Sequence, residues 1–346
     1  MSDTHCLEAN MKVEEIETRG KTKGPKIDRL IDSFRKWLYI MGSCLFILLA
    51  ARNSFHWHIH NLWGATGSFW QNNWDCIYEK WGRDNEIIFG CIGTFLVTTC
   101  VFWLGNAFFL VLDVYGIPQS LQKYKIQENV EFEMSKLWKA IRVVLVNHFI
   151  VGLPFCLGIT FTYQMRGCSF SGELPTFHWV LLEILVFSLV EEFFFYYTHS
   201  VCRLLHHPKL YKQIHKRHHE WTAPIGIVSI YAHPLEHLIS NVLPPALGPL
   251  LMGSHISTTW LWFSLALMST TIAHCGYHLP LLPSPEAHDY HHLKFNQNFG
   301  VLGVLDRLHG TDTVFRQSKQ YQRHIMLLSL APLTQQIPTS PKKKPE

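Results

Sequence analysis

The sequence predicts an all-α protein. The expected architecture is a polytopic membrane helical bundle, with about four transmembrane helices plus a re-entrant segment, carrying a cytosolic histidine-rich helical cap. Three observations lead there. Of 346 residues, 48% are hydrophobic and only 16% are charged, whereas an average soluble domain is about a quarter charged. Long apolar stretches alternate with short basic runs, which suits lipid headgroups rather than a nucleic-acid face. Finally, 14 of the 22 histidines fall between His199 and His292.

Each element can be justified in chain order. Residues 1–33 are polar and charged, and Gly20, Gly24 and Pro25 break any helix. They read as a disordered cytosolic tail without the apolar core of a signal peptide. Residues 34–140 read as N-terminal membrane helices followed by a basic connector. Within them, 37–51 is apolar but shorter than the ~20 residues of an ordinary span, so flanking aromatics or a thin bilayer must help it. His56, His58 and His60 follow in a tryptophan-rich stretch. Their i, i+2 spacing places neighbours on opposite helix faces, as expected of interfacial loop residues rather than ligands. Residues 87–112 carry no charge and form the clearest span. Lys123, Lys125, Lys136, Lys139 and Arg142 then mark the connector.

Residues 141–315 form the next expected domain. The span 143–163 holds Asn147 and His148, and a lone intramembrane histidine either serves function or bonds to a neighbouring helix. The span 174–190 is interrupted by Glu183, which should face the bundle. It continues as Glu191-Glu192-Phe193-Phe194-Phe195-Tyr196-Tyr197, an aromatic run suited to a substrate entry or to a membrane anchor. Residues 238–251 are broken by Pro244, Pro245 and Pro249, so a re-entrant or kinked segment is expected. Residues 256–273 form another apolar helix, and 316–346 a C-terminal cytosolic tail.

The distribution of lysine and arginine sets the orientation. The N-terminus, the 123–142 connector and the 203–217 stretch are basic, which places both termini and the histidines on the cytosolic side. The closing Lys343-Lys344-Pro345-Glu346 resembles an endoplasmic-reticulum retrieval signal. Nine cysteines show no CxxC spacing, which indicates neither a zinc ribbon nor a disulfide scaffold. Cys76 and Cys168 lie in the two loops expected on the luminal side, where a disulfide is chemically permitted.

The histidines carry the chemistry. They group as His215-Lys216-Arg217-His218-His219, His274-Cys275-Gly276-Tyr277-His278 and His288-Asp289-Tyr290-His291-His292. On a helix, positions i, i+3 and i+4 share a face, so each HxxHH box should converge on one point. Neutral imidazole suits zinc, iron, copper and nickel. A site with more than one metal is expected.

Together with Tyr231-Ala232-His233-Pro234-Leu235-Glu236-His237 and Leu305-Asp306-Arg307-Leu308-His309-Gly310-Thr311-Asp312, these boxes resemble the membrane fatty acid hydroxylase/sterol desaturase superfamily. The resemblance spans roughly residues 140–315 and is strongest to the C4-methylsterol oxidase branch. It implies an O₂-dependent oxygenase with two iron ions, in whose place zinc can appear on purification. Electrons would come from NAD(P)H through cytochrome b5 and its reductase. The substrate would be a sterol C4-methyl group or, alternatively, a fatty-acyl or sphingolipid chain. Carried over by position, the ligands would be His207, His215, His218, His219, His274, His278, His288, His291 and His292. His206, His233, His237, Glu191, Glu192, Glu236 and Asp289 would support them, since ligating imidazoles usually donate their other nitrogen to a carboxylate or carbonyl.

The first box departs from the family pattern His-x-x-x-His-His. Here His199 precedes His206-His207 with three extra residues between. On a continuous helix His199 and His206 would stand ~10.5 Å apart along the axis, against ~6 Å for i, i+4. Counting back from His207, the ligand register falls on Cys202, so either His199 or Cys202 completes the site. A perturbed box also admits a reading of another class: a catalytically impaired fold that binds metal or lipid and regulates by interaction.

Overall fold

The computed structural model describes residues 26–130, 132–199 and 214–338. The described residues are helical and contain no strand, only an isolated bridge between Lys125 and Tyr277. The chain divides into two compact units, Met1–Asn72 and Asn73–Glu346.

The described part of the first unit lies in the long helix α1 (Lys26–Trp81). That helix begins inside the stretch expected to be a tail, and it also takes up 52–72, expected as a loop. Neither region contains a proline after Pro25 to stop it.

The second unit holds three helices long and apolar enough to cross a membrane: α2 (Glu86–Tyr115), α3 (Met134–Arg166) and α6 (Ile256–His274). This is the architecture of a multi-pass membrane protein. Asn85 starts α2 by accepting a hydrogen bond from the Ile88 amide, and Gly116 ends it in the left-handed conformation. The helix α4 (Phe177–His199) runs straight through the expected bilayer exit at 190. Its Glu183 is buried, as an acid on an apolar helix must be if it faces the bundle. The short helix α5 (Leu243–Met252) lies against α4. At Gly248 a Cβ would come within 2.8 Å of the Phe187 backbone, so only glycine allows that approach. Helices α2 and α6 pack together through Trp260, whose indole donates to Thr94 Oγ1 at 2.8 Å.

Two π-helical turns interrupt this bundle, at Asn147–Gly152 within α3 and at His237–Val242 before α5. Each is followed by proline, Pro154 in one case and Pro244-Pro245 in the other. A proline lacks the N–H for the preceding turn and crowds the carbonyl four residues back, so the backbone widens there. The segment expected to be re-entrant or kinked is a π-turn leading into a short helix.

Between the two π-turns the chain forms 3₁₀ turns at His215–Glu220 and Gly226–Ile230. Asn147 clamps the second of them, donating from Nδ2 to the Ile230 and Ala232 carbonyls at 2.9 and 3.0 Å. The remaining functional helix is α7 (Glu286–Lys294). Cys76 is exposed and Cys168 buried, both as free thiols, so the permitted disulfide is not formed. Cys168 instead packs in the aromatic core with Trp74, Phe89 and Phe170.

Candidate metal centre

Four elements deliver histidines to one buried place. The last residue of α4 is His199 and the last of α6 is His274. The 3₁₀ turn brings His215, His218 and His219, and α7 brings His288, His291 and His292. They form two groups of four, His199 with His215, His219 and His291, and His218 with His274, His288 and His292. Within each group the ligand atoms lie within 4.8 Å of one another.

This corrects the expectation that each HxxHH box converges on one point. The 215–220 segment is 3₁₀ rather than α-helical, and each box is shared. The outer pair of the 215–219 box, His215 and His219, serves one group and its middle histidine, His218, the other. The 288–292 box does the reverse, with His288 and His292 in the group of His218 and with His291 in the group of His215.

The short distances are between Nε2 atoms. They are 2.7 Å for His215–His219, 3.2 Å for His199–His215, 2.9 Å for His274–His288 and 3.5 Å for His218–His274. Five of the rings are held by their other nitrogen. His215 Nδ1 lies 2.6 Å from Glu236 Oε1, and His291 Nδ1 donates to Gln297 O at 2.7 Å. His218, His274 and His292 donate from Nδ1 to the carbonyls of Tyr231, Thr270 and Trp221 at 3.2, 2.7 and 2.9 Å.

This arrangement fixes the tautomer. With its Nδ1 proton engaged, each of these rings presents an Nε2 lone pair. The Nε2 atoms of His218 and His274 are then two acceptors facing each other, which repel unless a cation sits between them. Four nitrogens bound at about 2.0–2.1 Å to one ion would stand about 3.3 Å apart, close to what is seen. The donor set therefore fits a metal ion in each group.

Burial keeps the nitrogens available. It pushes His218 down to about 4, and holds His219, His288 and His292 well below the usual imidazole range, with neighbouring imidazoles adding to the effect. All four are neutral near neutral pH, as ligation requires.

Other expected site residues fall elsewhere. His278 joins neither group: α6 ends at His274, and Gly276 reverses the chain at φ 74°. His278 instead donates from Nε2 to Ile325 O at 2.9 Å. His233 accepts the Leu235 amide as the cap of a short turn. His237 is buried with Nδ1 3.4 Å from Asn241 Nδ2. Glu192 accepts the amides of Leu302 and Leu305, fastening the loop whose Phe299 meets the His291 ring edge to face. Asp289 accepts Gln127 Nε2 on both oxygens, and burial pushes its carboxyl up to about 7. Glu236 alone among the expected acids touches a grouped imidazole in the described residues. Cys202, His206 and His207 lie outside the described residues. The backbone carbonyls that orient the rings leave no mark in a sequence, because every residue has one.

A cavity of about 420 Å³ opens onto both groups, with His199, His218, His274 and His288 in its wall. Phe95, Phe155, Ile159 and Phe263 from the apolar helices line its other part, and Glu191 borders it. This volume lies in the range of small-molecule sites.

Comparison with known proteins places this geometry. A fatty acid hydroxylase family profile matches residues 184–311, the stretch that carries all eight grouped histidines. The chain is 51% identical over 335 residues to fatty acid hydroxylase domain-containing protein 2 of Homo sapiens, covering 96% of this chain and 99% of that one. It is 35% identical over 264 residues to methylsterol monooxygenase 2-2 of Arabidopsis thaliana, covering 73% and 95%. It is 36% identical over 222 residues to fatty acid hydroxylase ahd1 of Mycosarcoma maydis, covering 64% and 57%. No solved structure matches. The chain belongs to the fatty acid hydroxylase family.

Proposed function

We propose that this protein is a membrane oxygenase that oxidises the C4-methyl group of a sterol, using two iron ions held by the two histidine groups. The observation that carries the reading is the pair of buried four-imidazole groups opening onto a cavity walled by apolar helices. All-nitrogen donors accept iron or zinc, but only a redox metal can pass electrons to O₂, which an unactivated C–H bond requires. Zinc in purified protein would fill the same nitrogens and leave it inactive.

This chain's own residues bind, orient and exclude water. Glu236 and the carbonyls of Thr270, Trp221, Tyr231 and Gln297 fix the imidazoles before any metal arrives. The Phe299 loop, fastened by Glu192, covers His199 and His291. His199 completes its group, and we assign it the role that the sequence left between His199 and Cys202. His207 and the supporting role of His206 stay part of the proposal, and His278 is assigned to structure. We place the protein in the endoplasmic-reticulum membrane with the metal site and both termini cytosolic, where cytochrome b5 and its reductase can deliver electrons from NAD(P)H.

A fatty-acyl or sphingolipid substrate is the second reading, favoured by a cavity wall of Phe95, Phe155, Ile159 and Phe263 that any apolar chain could occupy. Iron-loaded protein in nanodiscs, supplied with cytochrome b5, its reductase, NADH and O₂, separates the two. A 4-methylsterol should yield an oxygenated product and stearoyl or ceramide substrates should not. Product from the acyl substrates alone would reverse the assignment. No product from either, with two irons bound, would favour the non-catalytic reading.

A further inference from the structure

The cavity wall also carries a polar patch. It comes from the two π-turns and the 3₁₀ turn between them. His148 lies in the first π-turn, His237 and Ser240 in the second, and Ser229 in the 3₁₀ turn. The two π-turns pack against each other, and the Asn147 clamp draws the 3₁₀ turn to the first. All four side chains border the cavity. They are only 8%, 4%, 3% and 5% exposed, in the order His148, His237, Ser240, Ser229.

Three of these groups lack a hydrogen-bond partner among the described residues: His148 Nδ1, Ser229 Oγ and Ser240 Oγ. Buried polar atoms are nearly always satisfied, because leaving one unpaired costs its full desolvation. Three of them lining one cavity mark a place where a ligand supplies the missing bonds. Their chemistry narrows that ligand. Imidazole and hydroxyl groups can both donate and accept, which suits an alcohol. No lysine borders the cavity among the described residues, and its arginine, Arg307, is ion-paired with Asp312 at 2.7 Å. Glu236 borders the cavity as well, which disfavours a carboxylate headgroup in it.

We infer that His148, Ser229, His237 and Ser240 form a subsite for a neutral hydroxyl group on the lipid substrate. The subsite rests on reading the cavity as that of a lipid oxygenase. It names what the substrate must carry, an alcohol that anchors an otherwise apolar body in the cavity onto which the histidine groups open. The π-turns explain how such a patch arises between apolar helices. Each turn is widened by the proline after it, and widened turns recur at functional sites.

The test uses full-length, metal-loaded protein in nanodiscs and competition against a fluorescent lipid. Two pairs of probes differ only in the hydroxyl: 4,4-dimethylcholestan-3β-ol with 4,4-dimethylcholestane, and octadecanol with octadecane. At least one alcohol should bind about tenfold or more tightly than its hydrocarbon. Ser240→Ala and His148→Phe should each remove most of that preference while metal content stays at the wild-type level. Stearate should bind no better than octadecane. Equal affinity within both pairs, an unchanged preference in both variants, or a preference for stearate over octadecanol would overturn the subsite and leave the oxygenase reading standing. Failure of every probe to bind would overturn both.

Discussion

His218 and His219 are adjacent in the chain yet belong to different histidine groups. Their rings stand 5.5 Å apart, with His218 Nε2 turned to His274 and His219 Nε2 turned to His215. His291 and His292 divide in the same way, 5.9 Å apart. Each group thus draws an outer pair from one box, a middle histidine from the other, and the last residue of a long helix. Neither group is supplied by one box alone, so the two form together only when α4, α6, α7 and the 3₁₀ turn at His215–Glu220 are docked.

Sharing has a measurable consequence for metal content. His218→Ala should cost the group of His274, His288 and His292 its ion, and His291→Ala should cost the other, so each falls from two metals to about one. The double variant should hold neither. Metal analysis of purified variants reads this directly. Full occupancy in both single variants would remove these residues from the ligand set.

How far the sequence foretold this depends on what kind of information each feature needs. The apolar runs at 87–112, 143–163 and 256–273 are written in composition, and they match α2, the second half of α3, and α6. The eight grouped histidines are visible as spaced boxes, His199 only as one of two alternatives. Their division between two groups is not visible, because it depends on a 3₁₀ rather than an α-helical backbone at His215–Glu220. His278 looked like the i+4 partner of His274, but Gly276 at φ 74° breaks the periodicity that the pattern assumed. His148 stood out as an intramembrane histidine, while its neighbours Ser229 and Ser240 come from segments remote in sequence and could be found only by folding the chain.

Glu236 offers a test of ring orientation that leaves the ligands untouched. Its Oε1 sits 2.6 Å from His215 Nδ1, so it both fixes that ring and raises its basicity. Glu236→Gln keeps the shape and an acceptor oxygen but removes the charge. Metal affinity of the His215 group should weaken by roughly 10–100-fold, seen as faster loss of one metal to a chelator. An unchanged loss rate would make Glu236 a structural residue only.

Acid should destabilise the metal-free protein. Burial pushes His218 down to about 4 from an ordinary 6.5, so the unfolded chain takes up a proton that the folded chain refuses. The stability tied to this imidazole is therefore fully present above the ordinary value and is lost as pH falls towards 4. His218 alone accounts for roughly 3 kcal/mol across that window, and His219, His288 and His292 act in the same direction. Thermal unfolding of chelator-treated protein should show a lower Tm at about pH 5 than at about pH 7.5. A Tm that is flat or rises on acidification would contradict buried neutral imidazoles.

The lengthened first box gives the last prediction. Three extra residues separate His199 from His206-His207, and register counting pointed to Cys202 as the substitute ligand. In the structure His199 is buried at the end of α4, with Nε2 3.2 Å from His215 Nε2 and its ring 4.9 Å from that of His291. An imidazole already stands in the group, so a thiolate is not needed to complete four donors. His199→Ala should therefore strip the His215, His219 and His291 group of its metal, while Cys202→Ser should leave metal content and the metal's absorption spectrum unchanged. A thiolate ligand to iron or to substituted cobalt would give charge-transfer bands that the serine variant loses. Loss of such bands in Cys202→Ser, together with full metal in His199→Ala, would hand the position back to the cysteine and give this site a redox character unlike the all-histidine one.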